Sequence, residues 1–215
     1  MTTDPRMGRH RALGDAWVEA HMVGAIFRTM HPKRRKMARP LIVQDCETVG
    51  IDTPNRRPQT TDPICEYAAV YVRRDFTVDL ERSLHLYIRH PRVTRETFYS
   101  SWVYGHTNLR WKDVEKGVSP REAGHRIRHF HPQLRRTSFN RGFDDNVLSR
   151  QLDVEPNPAT GLMVGSTDAW RAILAKTHGQ QFWPGNYDTT FISCDRAVEI
   201  WRELGHDIPN WSDHG

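Results

Sequence analysis

Two carboxylates, Asp45 and Glu47, stand at the end of a short apolar run in residues 41–48, Leu-Ile-Val-Gln-Asp-Cys-Glu-Thr. Residues 41–43 show no polar alternation, which is typical of a central strand buried on both faces. Side chains two residues apart on a strand share a face, so the two carboxylates repel each other unless a cation lies between them. The pattern favours a divalent metal site, and the alternative is a strand end with two solvated acids before a turn.

The composition predicts one domain with a modest positive charge. The chain has 215 residues, with 31 Lys and Arg against 26 Asp and Glu, and a net charge of +5. This length suits a single domain, residues 1–215, and the charge is compatible with a polyanionic partner without requiring one. Three cysteines form neither a metal-binding pattern nor an even disulfide framework, which predicts a cytoplasmic setting. No segment approaches the roughly 20 apolar residues of a membrane span, so we expect no membrane partner.

An amphipathic helix is predicted from about residue 10 to residue 30. Small and apolar residues recur on one face at three- and four-residue steps: Ala12, Ala16, Ala20, Val23, Phe27 and Met30. His10 lies five residues before Asp15, about 140° away round a regular helix. The two side chains therefore reach one site only if His10 precedes the helix or lies in an irregular first turn. We predict this arrangement, and the alternative is an exposed histidine beside an ordinary helical aspartate.

Further elements are needed to complete a sheet around the two carboxylates. Alternating and continuous apolar patterns predict three more strands, at residues 64–72, 80–88 and 135–139. Helical spacing predicts three more helices, at residues 120–130, 167–176 and 189–204, with Gly205 as the last helix stop. Asp144 follows the strand at 135–139, where the spacing becomes helical. It is therefore expected at the sheet edge that also presents Asp45 and Glu47.

Residues 91–118 mix aromatic with cationic side chains. Five aromatic residues lie among several arginines: Phe98, Tyr99, Trp102, Tyr104 and Trp111. Such a mixture can stack nucleic-acid bases and hold phosphates. The same aromatic side chains can instead cover the sheet, and the sequence alone leaves both interpretations open.

Three motifs together resemble those of the DEDDh exonucleases, the DnaQ-like family of 3′–5′ exonucleases with a ribonuclease H-like fold. Asp45-Cys46-Glu47-Thr48 resembles the first motif, and Asn140-x-x-Phe143-Asp144 resembles the second. His10-Arg-Ala12-Leu-Gly-Asp15 is similar to the third motif, His-x-Ala-x-x-Asp on a helix. The stretch Gly105-His106-Thr107-Asn108-Leu109 is also similar to a family segment that leads to the second motif. The resemblance spans most of the chain and implies an α/β fold with a central mixed sheet flanked by helices.

The order of the motifs is unusual, because the third normally follows the second. The downstream candidate around Asp195 has Thr190 where the family has its histidine, whereas residues 10–15 match every defining position. The resemblance therefore implies a circular permutation, in which residues 1–31 are the closing helix, 32–40 a basic linker and 41–215 the remainder of the fold. Permutation is physically reasonable because domain termini usually lie at the surface and often close together. The alternatives are one piece of a tandem array, or a swap that places His10 and Asp15 in a neighbouring copy.

The resemblance implies a metal-dependent 3′–5′ exonuclease that releases nucleoside monophosphates from single-stranded DNA or RNA 3′ ends. Four carboxylates would bind two Mg²⁺ or Mn²⁺ ions, which oxygen ligands favour over zinc: Asp15, Asp45, Glu47 and Asp144. His10 would act as the general base, since its ordinary pKa lies near neutral pH.

The same resemblance implies substrate contacts and partners. Thr48, His106 and Asn140 would contact the substrate, and a polymerase or a replication or repair complex would be a further partner. The alternative function is a non-catalytic nucleic-acid-binding or polymerase-associated module of the same fold. A complete acid set together with His10 favours the enzyme.

Overall fold

The computed structural model describes residues 11–29, 39–50, 59–139, 141–156, 199, 202–203, 205 and 207–209. The described part of the chain contains a mixed four-stranded sheet with helices on both faces. Its elements follow in this order: α1 (Ala12–Thr29), β1 (Leu41–Thr48), β2 (Ile64–Val72), β3 (Val78–Tyr87), α2 (Arg95–Tyr99), α3 (Trp102–His106), α4 (Trp111–Glu115), α5 (Pro120–His129), β4 (Arg135–Thr137) and α6 (Arg141–Leu152).

The sheet has the strand order β3-β2-β1-β4. β1 is antiparallel to β2 and parallel to β4, and β2 is antiparallel to β3. β4 pairs with residues 41–43 of β1. Asp45 and Glu47 therefore lie beyond the last residue of β1 that pairs with β4. The predicted fold class, an α/β fold with a central mixed sheet flanked by helices, is confirmed.

The core lies on both faces of β1. Val43 and Ile42 are adjacent in sequence and fully buried, but they belong to different clusters. Val43 packs with residues of α1 on one face, whereas Ile42 packs with residues of α5 and α6 on the other. The start of β1 is thus buried on both faces, as its continuous apolar run predicted.

The helix predicted at the N-terminus is present as α1, and it is buried more widely than a single stripe. Ala12, Ala16, Ala20 and Val23 are buried as predicted, and so are Trp17, Val18, Met22 and Ala25. The side chains of Phe27 and Met30 lie outside the described residues. Gly24 allows the close approach of the β2–β3 hairpin, because a Cβ at this position would lie 2.9 Å from the backbone oxygen of Phe76.

The aromatic segment after β3 forms a third cluster over the end of β1. Phe98 is fully buried there, and the backbone N–H of Val103 donates to the Val49 oxygen at 3.5 Å. Tyr99 and Tyr104, in contrast, are 43% and 46% exposed. Part of the segment therefore covers the core, and part of it presents aromatic rings to solvent.

Element boundaries differ from the sequence predictions at two strands. β3 begins at Val78 instead of residue 80, and β4 ends at Thr137 instead of residue 139, because Phe139 leaves the ladder and packs into the α1-side core. The helix predicted at 167–176 lies outside the described residues. Of the range 189–204, positions 199, 202 and 203 are described and helical, and Gly205 follows with a positive φ of 82°. No described helix has the length and apolar character needed to cross a membrane.

Candidate metal centre

Three carboxylates meet near the carboxyl end of β1. Asp15, Asp45 and Glu47 each offer an oxygen atom, and these oxygens lie within 4.8 Å of one another. Asp15 belongs to the first turn of α1, which packs on the sheet face that bears Val43. Asp45 and Glu47 share that face because side chains alternate along a strand. Residues from two separate segments of one chain therefore form a single cluster of oxygen atoms.

Asp144 lies at the strand-to-helix junction that the sequence predicted. It occupies the first turn of α6, it is 2% exposed, and its Oδ1 has no hydrogen-bond partner among the described residues. Its charge is the strongest of the neighbouring charges that raise the pKa of Asp45. Asp144 thus acts electrostatically on the same cluster, although it approaches from the β4 side of β1.

Three carboxylates of this region, Asp45, Glu47 and Asp144, have raised pKa values. Burial, followed by the charge of Asp144, raises the pKa of Asp45 well above its ordinary value. Burial, followed by the charge of Asp15, does the same for Glu47, and burial raises the pKa of Asp144 to about 7. Crowded carboxylates repel one another, and a divalent cation among them relieves this repulsion. The oxygen donors fit Mg²⁺ or Mn²⁺, which prefer carboxylate ligands.

The two described cysteines near the carboxylates do not add ligands for a softer metal. Burial raises the pKa of both Cys46 and Cys65 well above the ordinary value, so both thiols stay protonated. The Sγ atom of Cys65 donates to the backbone oxygen of Glu47 at 3.4 Å. Metal binding and nucleophilic attack both require the thiolate, so these residues are structural.

A buried ion pair anchors the start of α1 beside the carboxylates. Arg11 is 1% exposed, and its Nε and Nη2 atoms donate to the Glu66 carboxylate at 2.9 and 2.8 Å. His85 Nε2 lies 2.7 Å from Glu66 Oε1, and the backbone N–H of Ala12 donates to Glu66 Oε2 at 3.3 Å. Glu66 therefore holds both the arginine and the first turn of the helix.

The same arginine connects α1 to two further segments. Its Nη1 donates to Asn108 Oδ1 at 2.6 Å, and its Nη2 donates to the hydroxyl of Tyr87 at 2.9 Å. The backbone oxygen of Arg11 accepts the N–H of Asp15 at 2.8 Å. Arg11 thus fixes the first turn of α1, which carries Asp15. It holds this turn against β2, β3 and the segment at 105–109.

The structure describes two of the predicted substrate contacts, Thr48 and His106. His10 and Asn140 lie outside the described residues, so their roles stay predictions. Thr48 is buried at the end of β1, and its Oγ1 has no hydrogen-bond partner among the described residues. His106 is exposed on α3 and stacks on Trp102 with ring centroids 4.4 Å apart.

Three charged residues of this region were missed by the sequence analysis: Arg11, Glu19 and Glu66. Glu19 lies four residues after Asp15, a spacing that places both on the same helix face, so helical periodicity could have indicated it. Glu66 is an isolated acid within the apolar run of β2, which is the signal of a buried charge that requires a partner. Arg11 gave no such signal, because arginine is mostly exposed in proteins.

Comparisons with known proteins found solved structures of low sequence identity. No protein-family model matches the sequence, and no curated protein matches it. A crystal structure of E. coli exonuclease I in complex with a 5cy-dA13 oligonucleotide is 18% identical, has a TM-score of 0.49, and is matched over 82% of this chain and 38% of that chain. An ExoI/SSB-Ct complex is 17% identical with a TM-score of 0.48, over 76% of this chain and 36% of that chain.

A product-bound structure of exonuclease I is similar to the same degree. It is 15% identical with a TM-score of 0.48, and the match covers 78% of this chain and 43% of that chain. The chain thus spans less than half the length of these proteins.

Proposed function

We propose that this chain is a metal-dependent 3′–5′ exonuclease that releases nucleoside monophosphates from the 3′ ends of single-stranded DNA or RNA. The observation that carries the proposal is the meeting of Asp15, Asp45 and Glu47, whose oxygen atoms lie within 4.8 Å of one another. Asp144 adds a fourth, buried carboxylate. Such an oxygen-only acidic group suits the binding of two divalent ions for phosphodiester hydrolysis.

The four carboxylates are the residues that would hold Mg²⁺ or Mn²⁺: Asp15, Asp45, Glu47 and Asp144. When bound, the ions would neutralise charge on the phosphoryl oxygens and on the leaving oxygen. Asp45 and Glu47 stand on a rigid central strand, and Asp15 stands on a helix turn anchored by Arg11. The protein therefore provides a preformed acidic group with little reorganisation.

His10 is the proposed general base. It precedes Arg11 in the sequence, and Glu66 fixes the side chain of Arg11 at the start of α1. Its imidazole would take a proton from the attacking water, whose oxygen forms the new bond to phosphorus while the bond between phosphorus and the 3′ oxygen breaks. The leaving 3′ oxygen takes a proton from solvent, and the terminal nucleotide departs as a 5′-monophosphate.

Exposed aromatic rings support single-stranded nucleic acid as the substrate. Tyr99 and Tyr104 contact each other edge to face at 4.8 Å on the surface beside the end of β1. Unpaired bases stack on such rings without sequence preference. We propose Thr48, His106 and Asn140 as further substrate contacts, and a polymerase or a replication or repair complex as a further partner.

The permuted motif order is part of the proposal. Asp15 lies with Asp45 and Glu47 inside one chain, which supports action in cis. α1 packs against the same sheet face as these two carboxylates, as the closing helix of the fold would.

The experiment is a time course on 5′-labelled single-stranded DNA and RNA with Mg²⁺ or Mn²⁺. We expect a ladder that shortens from the 3′ end, requires the metal, and is lost in Asp45→Asn and His10→Ala. Asp195→Ala is expected to keep the activity, since the downstream stretch is not the third motif in this order. Glu122→Gln is the matched control, because Glu122 is exposed and pairs with Arg126 of its own helix at 2.7 Å.

The other outcomes separate the alternatives. Loss of activity only in Asp195→Ala would restore the ordinary motif order. Binding of the oligonucleotides without cleavage under either metal would replace the enzyme by the non-catalytic module.

A further inference from the structure

Glu19 is a buried carboxylate beside the proposed metal ligands. It is 2% exposed, and it lies four residues after Asp15 on α1, so both side chains lie on the same face of the helix. It accepts a hydrogen bond from the backbone N–H of Phe139, the residue that follows β4 and leads to α6. Burial raises the pKa of Glu19, and the charges of Asp144 and Asp15 both act on Glu19 and raise this pKa further.

One oxygen of Glu19 has no partner. Oε2 is fully enclosed and accepts no hydrogen bond from any described residue. The neighbouring charges that act on Glu19 are those of Asp144 and Asp15, and both are acidic. Asp144 Oδ1 is also buried, and it has no hydrogen-bond partner among the described residues. Two enclosed carboxylate oxygens without donors lie on the two elements that flank the site.

An enclosed carboxylate without a hydrogen-bond partner lowers the free energy of unfolding, and either a proton or a cation can neutralise its charge. A proton on Oε2 would neutralise Glu19, but the hydroxyl so formed would itself need an acceptor, and no described residue supplies one. A divalent cation compensates several oxygens together, as the other three carboxylates of the site require. The two oxygens without partners, Glu19 Oε2 and Asp144 Oδ1, therefore favour a bound cation.

We propose that Glu19 is a fifth carboxylate of the metal centre, and that its Oε2 binds a divalent cation together with Asp144. This inference rests on the proposed function, because it adds a ligand to the same site. It goes beyond the four acids indicated by the motifs, none of which includes Glu19. The arrangement gives the ion on the Asp144 side a direct protein ligand from α1.

The test is a Mn²⁺ titration of the full chain followed by electron paramagnetic resonance, which counts free ions. We compare the wild type with Glu19→Gln, Asp45→Asn and the surface control Glu122→Gln. Glu19→Gln is expected to weaken one Mn²⁺ by about 10- to 100-fold and to leave another bound, since loss of a supporting ligand has effects of this size. In EDTA, the same variant is expected to melt at a higher temperature than the wild type, because it removes an uncompensated buried charge.

The outcomes separate this inference from the proposed function. If Glu19→Gln binds Mn²⁺ as the wild type does while Asp45→Asn loses it, Glu19 is no ligand and the metal centre stands with four acids. If Asp45→Asn binds Mn²⁺ with the affinity of the wild type, the metal centre itself is wrong, and the role of Glu19 is overturned with it. Circular dichroism of each variant excludes misfolding as the cause of weaker binding. A second variant, Glu19→Asp, keeps the charge and is expected to bind more tightly than Glu19→Gln.

Discussion

Two groups of charged side chains lie beside the carboxyl half of β1. The anchoring group consists of Arg11, Glu66 and His85, and the acidic group consists of Asp15, Glu19, Asp45, Glu47 and Asp144. Glu47 and Glu66 are directly opposite each other in the β1–β2 register and both are buried. Burial raises the pKa of both, but hydrogen bonds from His85 and Arg11 outweigh it at Glu66 and hold that pKa below its ordinary value. At Glu47 no such bond intervenes, and its pKa is raised.

This difference distinguishes a structural carboxylate from one that requires a ligand. Glu66 has its cation within the protein, so its contribution is to hold α1 in place. At Glu47 the charge of Arg11 only partly offsets burial and the charges of the neighbouring acids, so an ion from solution can compensate this carboxylate further. The same type of side chain, one strand apart, thus has two functions that depend on what faces it.

The largest expected effect follows from removing a carboxylate of the acidic group. Asp45→Asn is expected to reduce nuclease activity on the order of 10³-fold or more, because charge stabilisation by bound ions is worth several kcal/mol. In EDTA the variant should be at least as stable as the wild type, since the asparagine removes repulsion. Initial rates on a labelled oligonucleotide and melting curves in EDTA measure both. A variant with nearly normal rates would remove Asp45 from the site.

Glu66→Gln tests the anchoring group with the same class of substitution. It leaves the buried Arg11 charge without its partner, so the free energy of unfolding should fall by about 3 to 5 kcal/mol. Urea denaturation in EDTA measures this loss. This decrease in stability contrasts with Asp45→Asn and Glu19→Gln, which are expected to be at least as stable as the wild type in EDTA. An unchanged midpoint in Glu66→Gln would mean that the two groups do not differ as described.

Arg11→Lys is a milder test of the same anchor. The lysine keeps the positive charge but cannot make the paired hydrogen bonds of the guanidinium. We expect a loss of about 1.5 to 3 kcal/mol in the free energy of unfolding, the range for hydrogen bonds to charged groups. Arg126→Lys, at an exposed pair on α5, is the control and should change stability little. Equal effects in the two variants would contradict the anchoring role.

The smallest effect expected is a dependence of stability on pH and metal. A carboxylate with a raised folded pKa stabilises the fold fully below its unfolded pKa, near 3.9 for aspartate. This contribution is lost as the pH rises through the folded pKa, which is about 7 for Asp144. In EDTA, stability should therefore decrease from acid to neutral pH. Glu66 acts in the opposite direction in acid: its pKa lies below the ordinary glutamate value, and its contribution is lost when it becomes protonated.

Mn²⁺ should counteract this decrease. Metal binding displaces protons from its ligands, so the ion should raise the melting temperature more at about pH 8 than at about pH 5.5. Each kcal/mol gained corresponds to about 2 to 4 °C for a chain of this size. Differential scanning fluorimetry with Mn²⁺ and with EDTA measures the effect. Equal shifts at both pH values would contradict a site built from carboxylates of raised pKa.

The residues that the sequence placed correctly are those with strong local signals. The continuous apolar run before Asp45 predicted a strand buried on both faces, and β1 is that strand. The change of spacing after residue 139 predicted the position of Asp144 at a helix start. Small residues at helical steps predicted the face of α1 that packs on the sheet.

The residues that the sequence did not place depend on contacts between distant segments. The partners of Glu66 come from the segment before α1 and from β3, and only the strand register brings them together. Arg11 is fully enclosed because it fills the space between three segments, which no local pattern indicates. Glu19 was visible in the helical period, but its enclosure depends on Phe139 after β4.

The most direct test of the metal centre is a crystal of the wild type soaked in Mn²⁺, with anomalous diffraction measured at the manganese edge. The account predicts an anomalous peak bounded by the carboxylates of Asp15, Asp45 and Glu47, and none beside Glu66. No peak at these carboxylates, or a peak beside Glu66 instead, would contradict it.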